Sequence, residues 1–121
     1  MSFADLLAKI AYRHPQVLGA IFCAGDGEMV AYHHREDGGI DTDQLLFVGA
    51  MATTWVARVM RESNIPCESV AMQVSTESCR YLLRGLKDGY HLVVVLLPDG
   101  LTGPVDFSLR QSCAAFNAEL S

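Results

Sequence analysis

The 121-residue sequence lacks most of the features that identify an enzyme or a membrane protein. No apolar run reaches the roughly 18 to 20 residues that span a bilayer, so we predict no membrane insertion. The strings GxxxxGK(S/T), GxGxxG, GxSxG and HExxH are absent, so no nucleotide site or familiar hydrolase site is indicated. The four cysteines form no CxxC pair, and we interpret them as reduced core thiols. We therefore predict no catalytic residue, no metal site and no cofactor.

Basic residues are also scarce. Nine Lys and Arg stand against 14 Asp and Glu, which gives a formal net charge of −5. This balance argues against binding to nucleic acid, because a protein surface must neutralise phosphates to do so. The N-terminus lacks a signal-peptide pattern, since Asp5, Lys9 and Arg13 interrupt its apolar residues at helical spacing. We expect a cytoplasmic protein.

What the sequence has in excess is apolar residues. They make up 50% of the chain, and the mean hydropathy is +0.21. The length allows one compact domain over residues 1–121. A domain of this size leaves much of its surface uncovered, so surplus apolar residues favour a contact with a partner.

Periodicity and turn residues predict eight elements. Apolar residues at i, i+3, i+4 and i+7 indicate helices, alternation indicates strands, and the turns at Gly25-Asp26-Gly27 and Asp88-Gly89 indicate hairpins. Capping patterns begin at Ser2 and Asp41. Residues 35–39 are charged and rich in glycine, which favours a flexible loop. The predicted elements are helix 3–14, strands 17–24 and 28–34, helix 43–63, strands 69–75, 79–87 and 90–97, and a helix from about residue 103.

The connections between these elements predict the fold class. Strands joined by tight turns run antiparallel, and only the second helix is long enough to serve as a crossover. Residues 90–97 are apolar on both faces, as expected for a central strand. We predict an α+β fold of order α-β-β-α-β-β-β-α, with a five-stranded antiparallel sheet and helices on both faces.

The second helix carries more apolar surface than one sheet can cover. Beside its core face lies a second row, Phe47, Met51 and Trp55, and together the two span ~220° of the helix. Burying three such side chains contributes on the order of 1.5 to 3 kcal/mol each. A loop over residues 35–40 or a terminus is one possible cover, and a second copy of the chain is the other.

The strand around residues 70–74 supports the second copy. Val70, Met72 and Val74 alternate with polar or small residues, and this strand is expected at a sheet edge, where pairing with another chain is favourable. Two copies that pair these edges would place their second helices side by side. We predict a dimer interface with a charged rim. The interface residues are Phe47, Met51, Thr54, Trp55, Val70, Met72 and Val74, and the rim residues are Arg58, Arg61 and Glu62.

Several segments resemble the roadblock family of dynein-light-chain-like regulatory modules. They are residues 17–21 in the first strand, the turn at 25–28, and the turn at 88–89 with the strand at 92–96. The resemblance implies a roadblock/longin-like homodimer that binds a small Ras-like GTPase or a sister roadblock protein. It implies a non-enzymatic regulator or scaffold.

Two alternatives stay open. A small-ligand sensor domain would need a cavity with converging polar groups. An arginine finger, supplied to the phosphates of a partner's nucleotide, is the other alternative. The candidates are Arg58, Arg61, Arg80 and Arg84. The competing interpretation is that these arginines are solvated surface residues. A metal site at His33 and His34 is disfavoured, because neighbouring strand residues point to opposite faces. His91 and His14 are interpreted as structural.

Overall fold

The computed structural model describes residues 2–37 and 39–120 and contains three α-helices and five strands within these ranges. Two short 3-10 turns, Cys67–Ser69 and Lys87–Gly89, connect them. The bounds are α1 Phe3–Arg13, β1 Val17–Cys23, β2 Met29–His34, α2 Thr42–Ser63, β3 Ala71–Ser75, β4 Arg80–Gly85, β5 His91–Leu96 and α3 Gly103–Glu119.

The five strands form one antiparallel sheet in the order β2-β1-β5-β4-β3. The β2 and β3 strands are the two edges, and α2 is the crossover that joins them. The predicted fold class and element order are therefore confirmed. The predicted edge position of the strand around residues 70–74 is confirmed as well.

Helices cover the sheet from both faces. The α1 and α3 helices enclose one apolar cluster with β1, β4 and β5, and α2 encloses another on the opposite face. Every residue of β5 is buried, as its two-sided apolar pattern predicted. No helix among the described residues combines the length and apolar character needed to cross a membrane.

The predicted caps are present. Ser2 with Asp5 and Asp41 with Gln44 both form reciprocal capping boxes, which satisfy backbone N–H groups at the starts of α1 and α2. Asn64 ends α2 in the left-handed conformation, with φ of 53°.

The flexible-loop prediction for residues 35–39 is wrong at Arg35. The Arg35 side chain donates hydrogen bonds to the carbonyl oxygens of Ala11, His14 and Val17, so it is fastened to the end of α1. A contact between residues so far apart in the sequence cannot be predicted from a local pattern of charged residues and glycine. Residue 38 of this loop lies outside the described residues.

Candidate protein-interaction surface

The α2 helix packs closely on the sheet through one face. Leu45, Val48, Ala52 and Val56 are buried on this face. Gly49 lies between them, and a Cβ at this position would come within 2.8 Å of Ile21 Cδ1. The helix is therefore held by its core face, and its remaining faces lie away from the sheet.

The second apolar row of α2 is not sealed by the described part of the chain. Phe47 is 65% exposed, and Met51 and Trp55 are only half-buried. Thr54, at the margin of the row, is exposed and donates its hydroxyl to the Ala50 carbonyl oxygen. The sequence allowed the loop over residues 35–40 to cover this row, but the loop does not enclose Phe47.

The edge strand β3 presents half-buried apolar side chains on the same side of the sheet. Met72 and Val74 alternate with exposed neighbours, as predicted. Met72 lies opposite Leu83, which belongs to the cluster under α2. Val70 differs from the other predicted interface residues, because it is 2% exposed and packs in that cluster. Its side chain therefore belongs to the core beneath α2.

The helix row faces the β3–β4 side of the sheet. A groove of about 520 Å³ lies between the start of α2 and the β3–β4 turn, and Phe47, Cys79 and Tyr81 line it together. Trp55, Met72 and Tyr81 all pack, half-buried, against the cluster under α2. We call this the α2–β3 surface. Its members are Phe47, Met51, Trp55, Met72, Val74 and Tyr81.

Sequence reasoning missed Tyr81 and Cys79 as members of this region. They lie on or just before β4, and only strand register brings them beside β3, where Val74 pairs with Tyr81. The sequence does contain one indication of their placement: Cys79, Tyr81 and Leu83 alternate with Arg80 and Leu82, which places the first three on one face of the strand.

The predicted rim residues lie exposed on the C-terminal half of α2. Arg58 donates to Glu62 over 3.1 Å, and both side chains are more than half exposed. Such a pair contributes little to stability but adds fixed charges beside an apolar surface. Arg61, three residues after Arg58, lines a second cavity.

Two of the four arginine-finger candidates are held by part-buried bonds within the chain, whereas the Arg58 pair with Glu62 is exposed. Arg84 Nη2 donates to both carboxylate oxygens of Asp106, at 3.0 and 3.1 Å. Arg80 donates to the carbonyl oxygen of Gly100 over 2.9 Å. Reaching a partner's phosphates would require breaking these bonds, so Arg58 and Arg61 are the accessible candidates.

The second cavity has a volume of about 500 Å³ and lies between the C-terminal half of α2 and the turns at Gly25 and Gly89. His91 is buried at its floor and is 1% exposed. Its Nε2 lies 2.9 Å from Thr53 Oγ1, and its Nδ1 lies 3.2 Å from the Gly89 carbonyl oxygen. Burial lowers the pKa of His91. The interpretation of His91 as a satisfied sheet histidine is confirmed.

His14 and the buried cysteines also have structural settings. His14 Nε2 lies 2.7 Å from Ser108 Oγ, and burial lowers the pKa of His14. Burial raises the pKa of the Cys23 thiol to about 11, which opposes nucleophilic reactivity. Cys67 is buried too, whereas Cys79 and Cys113 are half-buried. No group of three potential metal ligands occurs within residues 2–37 and 39–120.

The fold is shared with solved bacterial proteins. The roadblock/LC7 domain from Streptomyces avermitilis aligns with a TM-score of 0.81 at 14% identity, over 99% of this chain and 98% of that one. MglC from Myxococcus xanthus aligns at 0.72 and 21% identity, over 98% and 99%. The gliding protein MglB from Thermus thermophilus aligns at 0.79 and 11% identity, over 94% and 84%.

No protein-family model matches the sequence, and no curated protein matches it. At these identities the structural likeness establishes the fold. The chain has the roadblock/LC7 fold, as the resemblance of its strands and turns predicted.

Proposed function

We propose that this protein is a non-enzymatic regulatory or scaffold module of the cytoplasm that forms a homodimer through the α2–β3 surface. The observation that carries the proposal is the row of Phe47, Met51 and Trp55, left incompletely covered beside an unpaired sheet edge. Phe47 has the most to gain, because full burial of such a side chain contributes about 1.5 to 3 kcal/mol.

A twofold axis at the β3 edge would satisfy both features at once. Antiparallel pairing of two β3 strands would satisfy the outward N–H and C=O groups of this edge. The same operation would bring the two α2 helices side by side, since their apolar rows lie on the β3 side of the helix. An isologous contact of this kind closes at two copies.

The partner we propose for the dimer is a small Ras-like GTPase or a sister roadblock protein. This part rests on the resemblance to the roadblock family and on the fold shared with MglB and MglC. The exposed faces of the paired α2 helices, with Arg58, Arg61 and Glu62 at the rim, would form the docking platform. Preferential binding to one switch conformation would shift the GTPase population without a residue supplied to its nucleotide.

Met51→Asp tests the dimer. A buried carboxylate at the centre of the helix contact would be strongly unfavourable, so we expect a monomer in size-exclusion chromatography with light scattering. Ala114→Asp, at an exposed position of α3, is the matched control and should keep the mass of the wild type. A Met51→Asp protein that remains a folded dimer would place the interface elsewhere.

A pull-down with a GTPase encoded beside this protein, loaded with GDP or a GTP analogue, tests the partner. We expect retention in one nucleotide state over the other. The dimeric Ala114→Asp variant should behave as the wild type. Absence of retention in both states, for a protein shown to be dimeric, would contradict the GTPase proposal and leave the dimer standing.

A further inference from the structure

The cavity beside Arg61, which the proposed dimer contact does not use, has the build of a small-molecule site. It lies on the flank of α2 away from Phe47, and its volume of about 500 Å³ falls within the range of pockets that hold small organic ligands. Its walls are mainly apolar, from Val56, Ala57, Met60 and Ile65.

The polar groups at the floor are already hydrogen-bonded within the chain. Thr53 Oγ1 lies 2.9 Å from both His91 Nε2 and the Gly49 carbonyl oxygen, and His91 Nδ1 faces the Gly89 carbonyl oxygen. The floor can therefore pack against a ligand, but it has no free hydrogen-bonding group for a charged head. An apolar body would be accommodated inside, and a charged head would have to stay at the opening.

The opening carries a cation. Arg61 is exposed and lines the cavity, and its guanidinium has no ion-pair partner among the described residues. The nearby turn carboxylates do not line the cavity, and Asp26 Oδ1 accepts a hydrogen bond from the Glu28 backbone. Arg61 therefore places a positive charge at the cavity mouth, which favours an anionic head group there even though the net charge of the chain is −5.

We infer that this cavity binds a small amphiphilic carboxylate, with its aliphatic body against Val56, Met60 and Ile65 and its carboxylate paired with Arg61. An arginine fork matches a carboxylate bidentately, which gives such a ligand a fixed orientation. The inference goes beyond the proposed dimer and does not depend on it, because the cavity and the α2–β3 surface lie on opposite flanks of α2.

Titration of the full-length protein with octanoate, followed by NMR and by calorimetry, tests the inference. We expect saturable binding with shifts centred on Ala57, Met60, Ile65 and His91, and no comparable binding of octylamine, which has the same body and the opposite charge. Arg61→Gln should weaken octanoate binding about threefold, as expected for the loss of one exposed ion pair. Arg58→Gln should leave it unchanged, because Arg58 pairs with Glu62 and does not line the cavity.

A second variant tests the cavity itself. Ala57→Trp fills the space from an exposed helix position and should abolish octanoate binding while the circular dichroism spectrum stays that of the wild type. Three results would overturn the inference: no saturable binding, equal binding of octanoate and octylamine, or unchanged binding by Arg61→Gln. Sedimentation of the same samples reports the dimer separately, so failure of the carboxylate site and failure of the proposed function are distinguishable.

Discussion

At the scale of single residues, Arg35 joins three separate points of the backbone through its side chain. It joins the loop after β2 to the end of α1 and the start of β1 through three carbonyl oxygens. Hydrogen bonds from a charged donor contribute more than neutral ones, and deleting the Arg35 side chain removes three of them at once. Its role is therefore structural, although the sequence placed it in a mobile region.

Arg35→Met should lower the free energy of unfolding by about 3 kcal/mol, because three acceptors lose a charged donor. Arg58→Met is the control, since its exposed pair with Glu62 should contribute less than about 0.5 kcal/mol. Urea denaturation of the three proteins measures both changes. Equal stabilities of the two variants would show that the Arg35 contacts contribute nothing.

His91 predicts the direction of pH dependence. In the unfolded chain its pKa is near 6.5, and burial lowers the pKa in the folded protein, so the unfolded chain binds more protons as the pH falls. The free energy of unfolding should therefore decrease as the pH drops below about 6.5. His14 and His33, whose pKa values burial also lowers, act in the same direction.

His91→Gln should reduce the slope of stability against pH below 6.5 and leave the part due to His14 and His33. Denaturant midpoints at a series of pH values for the wild type and the variant measure the two slopes. Identical slopes would mean that the imidazole of His91 takes up its proton equally well in the folded and unfolded chains.

At the scale of elements, the close approach of β4 to the 3-10 turn Cys67–Ser69 leaves no room for a side chain. A Cβ at Gly85 would lie 1.8 Å from the Cys67 carbonyl oxygen, whereas a Cβ at Gly103 would meet nothing within 4 Å. Backbone cannot move aside as a flexible side chain does. The glycine at position 85 therefore sets how the chain enters β3.

Gly85→Ala should cost at least about 2 kcal/mol of unfolding free energy, because the turn must shift to admit the methyl group. Gly103→Ala, at the first turn of α3, should be neutral or stabilising by about 0.5 kcal/mol, since alanine restricts the unfolded chain. Thermal unfolding of both variants gives the comparison. A Gly85→Ala protein as stable as the wild type would show that the turn adapts without cost.

The elements that the sequence predicted well are those with local signals. The capping boxes at Ser2 and Asp41, the alternation around Met72 and the two-sided apolar pattern of β5 all depend on near neighbours, and each is present. The β3 strand starts at Ala71, later than predicted, because Cys67–Ser69 forms a 3-10 turn instead.

Contacts between distant segments were not accessible from the sequence. The Arg35 hydrogen bonds, the Arg84 pair with Asp106 and the placement of Tyr81 beside Val74 all depend on tertiary register. For the same reason the candidate surface was predicted from its helix row and edge strand, while its β4 members were missed. Val70 followed the strand alternation but lies too deep to contact a partner.

At the scale of the whole molecule, one sheet separates two apolar clusters that are covered by different numbers of helices. On one face α1 and α3 lie together over their cluster. On the other face α2 alone covers its cluster and leaves Phe47 and the β3–β4 side partly open. The homodimer proposal rests on this open row beside the unpaired β3 edge, and the proposed carboxylate site lies on the opposite flank of the same helix.

Sedimentation equilibrium of the unmodified protein over a wide concentration range tests the dimer most directly. If a second copy covers the α2–β3 surface, the mass should be at least twice the 13.2 kDa of one chain, about 26 kDa, and should fall toward 13.2 kDa only on strong dilution. A mass of 13.2 kDa at every concentration, for a folded and soluble protein, would contradict the account.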